Sequence, residues 1–317
     1  MEQSTALARL NTAHAAVKAI DGGPGGAAAW FAAYALLPAD AAPDRTAAAM
    51  QAVRAELKAA LGSWRAPTGD LLWIYAALLA SHGKTASSFL KVRAQLKDGE
   101  KASGTGRLHA GGSRAALVLT LADATSAQAV RRFFAIKQAI RPPWWRANPE
   151  VTDMFAASHA ARDNSPEAVR RERELALPVF EAQPETRGLK REGARLSALY
   201  QQPAADVRDR FLSLREAIKP HRKMRYAGNR HVWIEWAAQG VTPADLPVIE
   251  ANMETLGKVP QTGAARLRLA QLVWLSDRTD GSLGAVSAMS ALIAAQMAAM
   301  IAVTTATTAA VTATAGR

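Results

Sequence analysis

The sequence predicts an all-α fold built from tandem two-helix repeats, and three observations lead to this prediction. Hydrophobic residues fill 49% of the 317 positions, and alanine, which loses no side-chain entropy in a helix, dominates them. No stretch shows the polar–apolar alternation of half-buried strands. The dipeptide Val-Arg also recurs at a nearly constant interval, and a fixed interval of this length is typical of helical-repeat proteins.

The Val-Arg dipeptide marks a repeat of 38 or 39 residues. The five copies are separated by 39, 38, 39 and 38 positions and begin at Val53, Val92, Val130, Val169 and Val207. In four of the copies an apolar residue follows four positions later, which places it on the same helix face as the valine. We therefore expect the five valines to occupy equivalent buried positions.

A turn-rich stretch and a second apolar segment follow each of the first three copies, so the predicted unit is a helix hairpin. The second segments begin with LLWIYAALLA (71–80), SRAALVLTLAD (113–123) and VTDMFAASHA (151–160). Helix starts are predicted where a capping side chain precedes proline, at Asn148, Ser165 and Thr242, and where Thr125 and Gln128 have capping-box spacing.

Extending the repeat outward gives about seven hairpins in a single domain over residues 1–303, followed by a Thr/Ala-rich tail at 304–317. Such hairpins stack because one alone cannot bury both of its faces. An α-solenoid is the expected arrangement, and a closed α/α toroid is the alternative.

Composition limits the function classes. The chain has no cysteine, which excludes disulfides, thiolate catalysis and cysteine-based metal sites and fits a cytoplasmic location. Residues 1–20 contain an early acid and no compact apolar core, so they do not read as a signal peptide. The net charge is +12, and residues 131–230 hold 21 basic and 12 acidic side chains. A basic middle region attracts acidic or phosphate-bearing partners.

Two basic segments are candidate anion- or partner-binding sites. The first, Arg141 to Arg146, interleaves cations and indoles. Its alternative interpretation is that the tryptophans fill the space between hairpins. The second, Lys219 to Arg230, has no acid between Glu216 and Glu235; its alternative interpretation is a solvated loop. The candidate residues are Arg141, Trp144, Trp145, Arg146, Lys219, His221, Arg222, Lys223, Arg225 and Arg230.

The arginines of the Val-Arg dipeptides form a third set. They would either hold neighbouring repeats together through carbonyls and carboxylates or present a ladder of charges to a polymer. The set is Arg54, Arg93, Arg131, Arg170 and Arg208.

No catalytic, cofactor or metal motif is complete. Gly83-Lys84-Thr85 lacks the earlier glycine of a phosphate-binding loop, where Leu78 stands. The histidines do not have metal-ligand spacing. We therefore predict no catalytic residue, no cofactor and no metal. An α/α-toroid enzyme with a site assembled across repeats is the alternative, and a carboxylate-lined cavity would favour it.

The C-terminal segment 286–303 is apolar and long enough to span a membrane. Its alanine content and Gln296 argue against insertion. We expect it to cap the helical array or to form a subunit contact in a homo-oligomer, with a membrane anchor as the alternative.

Residues 141–223 resemble an uncharacterised bacterial family, the domain of unknown function number four thousand and three. The resemblance rests on NPEVTDMFAASHAARDNSPEAV, on GLKREGARLSALYQQPAADVRDRF and on the alanine-rich IAAQMAAMIA near the C-terminus. It implies an all-helical bacterial protein and carries over no activity and no site residue.

The leading functional expectation is a non-enzymatic helical-repeat scaffold that binds a protein or peptide, because extended repeat surfaces commonly do so. Binding of nucleic acid or another polyanion through the basic middle repeats is the second hypothesis. The toroid enzyme is the third.

Overall fold

The computed structural model describes residues 5–62, 66–105, 107–140, 149–257 and 263–279. These residues form helices joined by turns, and no strand occurs among them. The all-α prediction is therefore confirmed. The chain divides into two compact units, Met1–Ala86 with Ile249–Arg317 (unit 1) and Ser87–Val248 (unit 2).

The described α-helices are numbered in chain order. They are α1 (Thr5–Lys18), α2 (Gly26–Ala35), α3 (Pro43–Leu61), α4 (Gly69–Ser81), α5 (Ala86–Ser103), α6 (Ser113–Leu121), α7 (Ala127–Ala139), α8 (Pro149–Ala161), α9 (Pro166–Glu181), α10 (Pro184–Arg187), α11 (Lys190–Tyr200), α12 (Ala204–Ala217), α13 (Arg222–Ala227), α14 (Arg230–Ala238), α15 (Leu246–Thr255) and α16 (Gly263–Thr279). Short 3-10 helices lie at His109–Gly112 and Pro243–Asp245.

Unit 1 contains two helix hairpins, α1 with α2 and α3 with α4, and α16 packs against α1 and α2. Eight consecutive residues of α4, from Leu72 to Leu79, are buried, as the apolar run predicts. The Asp277 carboxylate in α16 accepts a hydrogen bond from the Ala6 N–H at 3.0 Å. This bond satisfies one of the unpaired N–H groups in the first turn of α1 and complements the helix dipole.

Unit 2 is built from two rows of helices. One row runs α7, α9, α12, and the other runs α6, α8, α11, α14, with each helix against the next in its row. The hairpins α7–α8, α9–α11 and α12–α14 link the rows. The helices of the first row bury one face, whereas all nine residues of α6 and seven consecutive residues of α14, from Val232 to Ala238, are buried.

One type of helix end recurs along the chain. It follows α4, α6, α8, α11 and α14. In each case a residue with positive φ donates its N–H to the carbonyl three residues earlier, and the next residue donates its N–H to the carbonyl five residues before itself. This pair of hydrogen bonds is the Schellman pattern. The positive-φ residues are Gly83, Asp123, Asp163, Gln201 and Gly240. Only two of them are glycine. The backbone of the other three residues therefore adopts the left-handed conformation despite a side chain, at a modest energetic cost.

The valines of the Val-Arg dipeptides are buried in four of five cases. In α7, α9 and α12 the valine is the fourth helical residue, and Val130, Val169 and Val207 each donate an N–H to the carbonyl four residues earlier at 3.1 Å. Val92 is also buried but lies deeper in its helix. The expectation is wrong for Val53, which is half-buried because it lies at the edge of the α3 face that buries Met50, Leu57 and Leu61.

Two of the predicted helix starts are confirmed, and the predicted cap Asn148 lies outside the described residues. Ser165 accepts a hydrogen bond from the Ala168 N–H at the start of α9, and Thr242 forms a capping box with Asp245. The start of α7 differs by one residue, because Ser126 rather than Thr125 accepts from the Ala129 N–H at 3.1 Å. A shift of this size changes no packing, since either hydroxyl can cap the first turn.

Candidate anion-binding surface

The Lys219–Arg230 segment connects the end of α12 to the start of α14 in unit 2. Pro220 follows α12 and cannot continue its hydrogen bonding. The short α13 begins at Arg222, and its Met224 side chain is fully buried, which anchors the segment to the core. Asn229 caps the start of α14, and its side chain accepts hydrogen bonds from the N–H groups of His231 (2.9 Å) and Val232 (3.3 Å).

Because Met224 points inward, its neighbours Arg222, Lys223, Arg225 and Tyr226 are exposed. The guanidinium carbons of Arg222 and Arg225 lie 5.7 Å and 5.3 Å from the centre of the Tyr226 ring. These are cation–π distances. The Tyr226 side chain is nevertheless 72% exposed. We call Arg222, Lys223, Arg225 and Tyr226 the α13 surface.

The other cations of the segment have local contacts. Lys219 pairs with Glu216 three residues earlier, and the Lys219 carbonyl accepts a hydrogen bond from Arg225 Nη1 at 3.4 Å. The guanidinium of Arg230 lies close to Gly188, where an added Cβ would meet Arg230 Nη1 at 3.3 Å. By contrast, neither Arg222 nor Arg225 forms an ion pair with a carboxylate among the residues that the structure describes.

His221 and His231 flank the α13 surface. His221 is half-buried at the N-cap of α13, and His231 Nδ1 lies 2.5 Å from Glu192 Oε2. The candidate cations of Lys219 to Arg230 are thus exposed along one segment of unit 2. The other predicted segment, with Arg141, Trp144, Trp145 and Arg146, lies outside the described residues.

The arginines of the Val-Arg dipeptides do not form a uniform ladder. Arg54 lies 4.0 Å over the Trp73 ring, and Arg93 is buried with its Nε 3.1 Å from Ser113 Oγ. Arg131 and Arg170 are exposed. The difference arises because the dipeptide occurs at different depths in its helices, so the arginine meets different neighbours.

Other arginines do bridge the two helices of a hairpin. Arg132 in α7 donates to the Ala160 carbonyl at 3.3 Å near the end of α8, and Arg210 in α12 donates to the Ala237 carbonyl at 2.6 Å near the end of α14. In unit 1, Arg9 donates to the Leu37 carbonyl after α2. A cation at a helix C-terminus satisfies a free carbonyl and favours the helix dipole. Part of the basic excess is therefore structural.

Each unit has a groove of about 460 Å³. The groove in unit 2 lies among α9, the end of α11 and the start of α12, and Leu175 on its wall is 65% exposed. The groove in unit 1 lies among α1, the end of α2 and the start of α3. Each of these two grooves is lined by one carboxylate, Glu172 or Asp40.

A buried ion pair in unit 2 is the feature that the sequence analysis missed. Lys137 Nζ lies 2.8 Å from Asp153 Oδ1, and the two side chains are 6% and 1% exposed. Asp153 Oδ2 accepts a hydrogen bond from the His109 N–H at 2.8 Å, and Lys137 donates to the Arg107 carbonyl. A signal was present, because Lys137 has helical spacing with buried Val130, Phe133 and Phe134.

Burial raises the pKa of the Asp153 carboxyl, and the hydrogen bond and positive charge of Lys137 offset only part of this effect. Beside the pair, three consecutive residues, Ala110, Gly111 and Gly112, have positive φ. A Cβ at Gly111 would meet Arg93 Nη2 at 2.9 Å, and the positive φ at this position favours glycine. The cluster is best explained as a structural link between this turn, α7 and α8.

No group of three or more His, Cys, Asp or Glu side chains is placed to hold a metal ion within the described ranges. None of the described helices combines the length and hydrophobicity that a membrane span needs. The apolar segment 286–303 and the tail 304–317 lie outside those ranges. Comparisons with protein-family models, curated proteins and solved structures give no match, and the family resemblance stays a prediction.

Proposed function

We propose that this chain is a helical-repeat protein that binds polyanionic partners through the α13 surface. The observation that carries the proposal is the exposed pair Arg222 and Arg225, which flank Tyr226 without a carboxylate partner among the described residues. Each guanidinium lies near the same ring, and exposed arginines are suited to charge-assisted hydrogen bonds with phosphate groups.

The repeat architecture is part of the proposal. It is supported by the Schellman ends after α4, α6, α8, α11 and α14, whose positive-φ residues are 38 to 40 positions apart. The shared fourth-residue position of Val130, Val169 and Val207 supports it as well.

The charge around the α13 surface favours a multivalent anion over a single carboxylate. Five lysines and arginines occur between Glu216 and Glu235, with no acid among them. Glu216 and Glu192 pair with Lys219 and His231 at the ends of the segment, whereas Arg222 and Arg225 at its centre form no ion pair with a described carboxylate. An exposed pair of opposite charges contributes little, so useful affinity requires several contacts at once, as a phosphate polymer provides.

The test is a fluorescence-anisotropy titration of the full chain with labelled polyphosphate at two salt concentrations. Replacing Arg222, Lys223 and Arg225 with alanine should weaken binding and reduce the slope of log affinity against log salt by about 2, because fewer counterions are displaced. The matched control removes the same charge elsewhere on unit 2, by replacing the exposed Arg131, Arg170 and Arg171 with alanine. Equal binding by the two triple variants, or no binding by the wild type, would overturn the proposal.

Protein or peptide binding is the second candidate, and the exposure of Leu175 at the unit 2 groove favours it. Exposed leucines in concave sites commonly contact apolar partner side chains. Leu175→Ser, titrated in the same way, tests whether polyphosphate binding is independent of the groove. It removes the apolar contact and should leave polyphosphate binding unchanged.

A further inference from the structure

The side chain of Tyr226 is more exposed than is usual for a tyrosine. Among the described residues, three large hydrophobic side chains are exposed. Tyr226 is the most exposed at 72%, followed by Leu175 at 65% and Val248 at 50%. Tyrosines usually bury the ring and expose only the hydroxyl. An exposure of 72% leaves much of the ring surface accessible, even with two guanidinium groups nearby.

The backbone of α13, which carries the ring, is held in place. In α13 the Arg225 N–H donates to the His221 carbonyl, and the Gly228 N–H donates to the Met224 carbonyl, both at 2.9 Å. The buried Met224 side chain fixes the helix to unit 2. An aromatic ring with few rotatable bonds on a fixed helix loses little entropy when a planar ligand group stacks on it.

An aromatic ring beside cations favours polyanions that have planar groups free to stack on it. Polyphosphate has no planar group to stack, and the bases of a duplex already stack on each other. A single strand presents phosphates and the open faces of its bases together, and proteins bind it by combining cationic side chains with aromatic platforms. The α13 surface has both components within a helix of six residues, a length that matches one or two nucleotides.

We infer that the polyanion is a single-stranded nucleic acid and that one of its bases stacks on Tyr226 while Arg222 and Arg225 contact the adjacent phosphates. This inference rests on the proposed polyanion binding and adds the class of partner. It gives Tyr226 the role of distinguishing bases from bare phosphate.

The test compares two labelled oligonucleotides of equal charge, a single-stranded adenine 12-mer and an abasic 12-mer with the same sugar–phosphate backbone. The wild-type chain should bind the adenine strand more tightly. Tyr226→Ala should weaken binding of the adenine strand by about 5-fold to 100-fold, the range expected for one stacked base. It should leave binding of the abasic strand unchanged, and Tyr226→Trp should preserve the preference.

Leu175→Ala is the matched control, because it removes an exposed apolar side chain from the same unit outside the α13 surface; it should affect neither strand. Equal wild-type affinity for the two strands, with both weakened by the Arg222, Lys223 and Arg225 triple variant, would overturn base stacking and leave polyanion binding intact. Failure to bind either strand or polyphosphate would overturn both.

Discussion

Replacing His159 with glutamine tests how strongly unit 2 resists protonation of its core. His159 in α8 is 1% exposed, and its Nδ1 lies 2.9 Å from Asn164 Nδ2, so the amide donates to an unprotonated nitrogen. Burial, followed by the nearby charges of Arg162 and Arg173, lowers the pKa of His159 from 6.5 to about 4. The folded chain therefore holds this imidazole neutral.

The sign of the pH effect follows from the depressed pKa. Above pH 6.5 the histidine is neutral in both folded and unfolded chains, and its contribution to stability is fully present. As the pH falls from 6.5 to about 4, the unfolded chain takes up a proton that the folded chain does not, and stability is lost. At about 1.4 kcal/mol per pKa unit, the loss specific to His159 is about 3 kcal/mol.

Urea unfolding followed by circular dichroism between about pH 7 and about pH 4 measures this loss. His159→Gln should lose about 3 kcal/mol less than the wild type over this range, while carboxylate protonation affects both proteins alike. Parallel curves for the wild type and His159→Gln would refute the reasoning.

Two further predictions concern the packing of unit 2, and both are read from urea midpoints. A Cβ on Gly193 would meet Phe180 Cε1 at 2.6 Å, so Gly193→Ala should destabilise the chain by about 1–2 kcal/mol despite alanine's higher helix propensity. Adding Phe180→Leu should restore part of the loss. If Gly193→Ala alone stabilised the chain, the close approach of α9 and α11 would be contradicted. Asp153→Asn leaves the Lys137 ammonium, 2.8 Å away, buried without its counter-charge and should cost about 3 kcal/mol. Adding Lys137→Met should recover stability; if the double variant is less stable than Asp153→Asn, Lys137 is not the cause.

The sequence determined the secondary structure, because the forces that set it act over a few residues. Alanine and leucine content gave the helices, apolar spacing gave the buried faces of α4 and α7, and serine before proline gave the start of α9. It also located the basic segment 219–230, since charge density is a local property. The repeat period is read from the spacing of the Val-Arg dipeptides along the chain and remains a prediction about architecture.

Tertiary structure decided what each charge does. Arg132 and Arg210 serve helix ends that lie 28 and 27 residues further along the chain, and Lys137 is buried because α8 brings Asp153 to it. Arg93 and Arg131 share a sequence motif yet differ in burial. The exposure of Tyr226 likewise depends on which side of α13 Met224 anchors. Charge is carried by the residue, but its solvation and its partner depend on distant segments, and the sequence alone does not fix their positions.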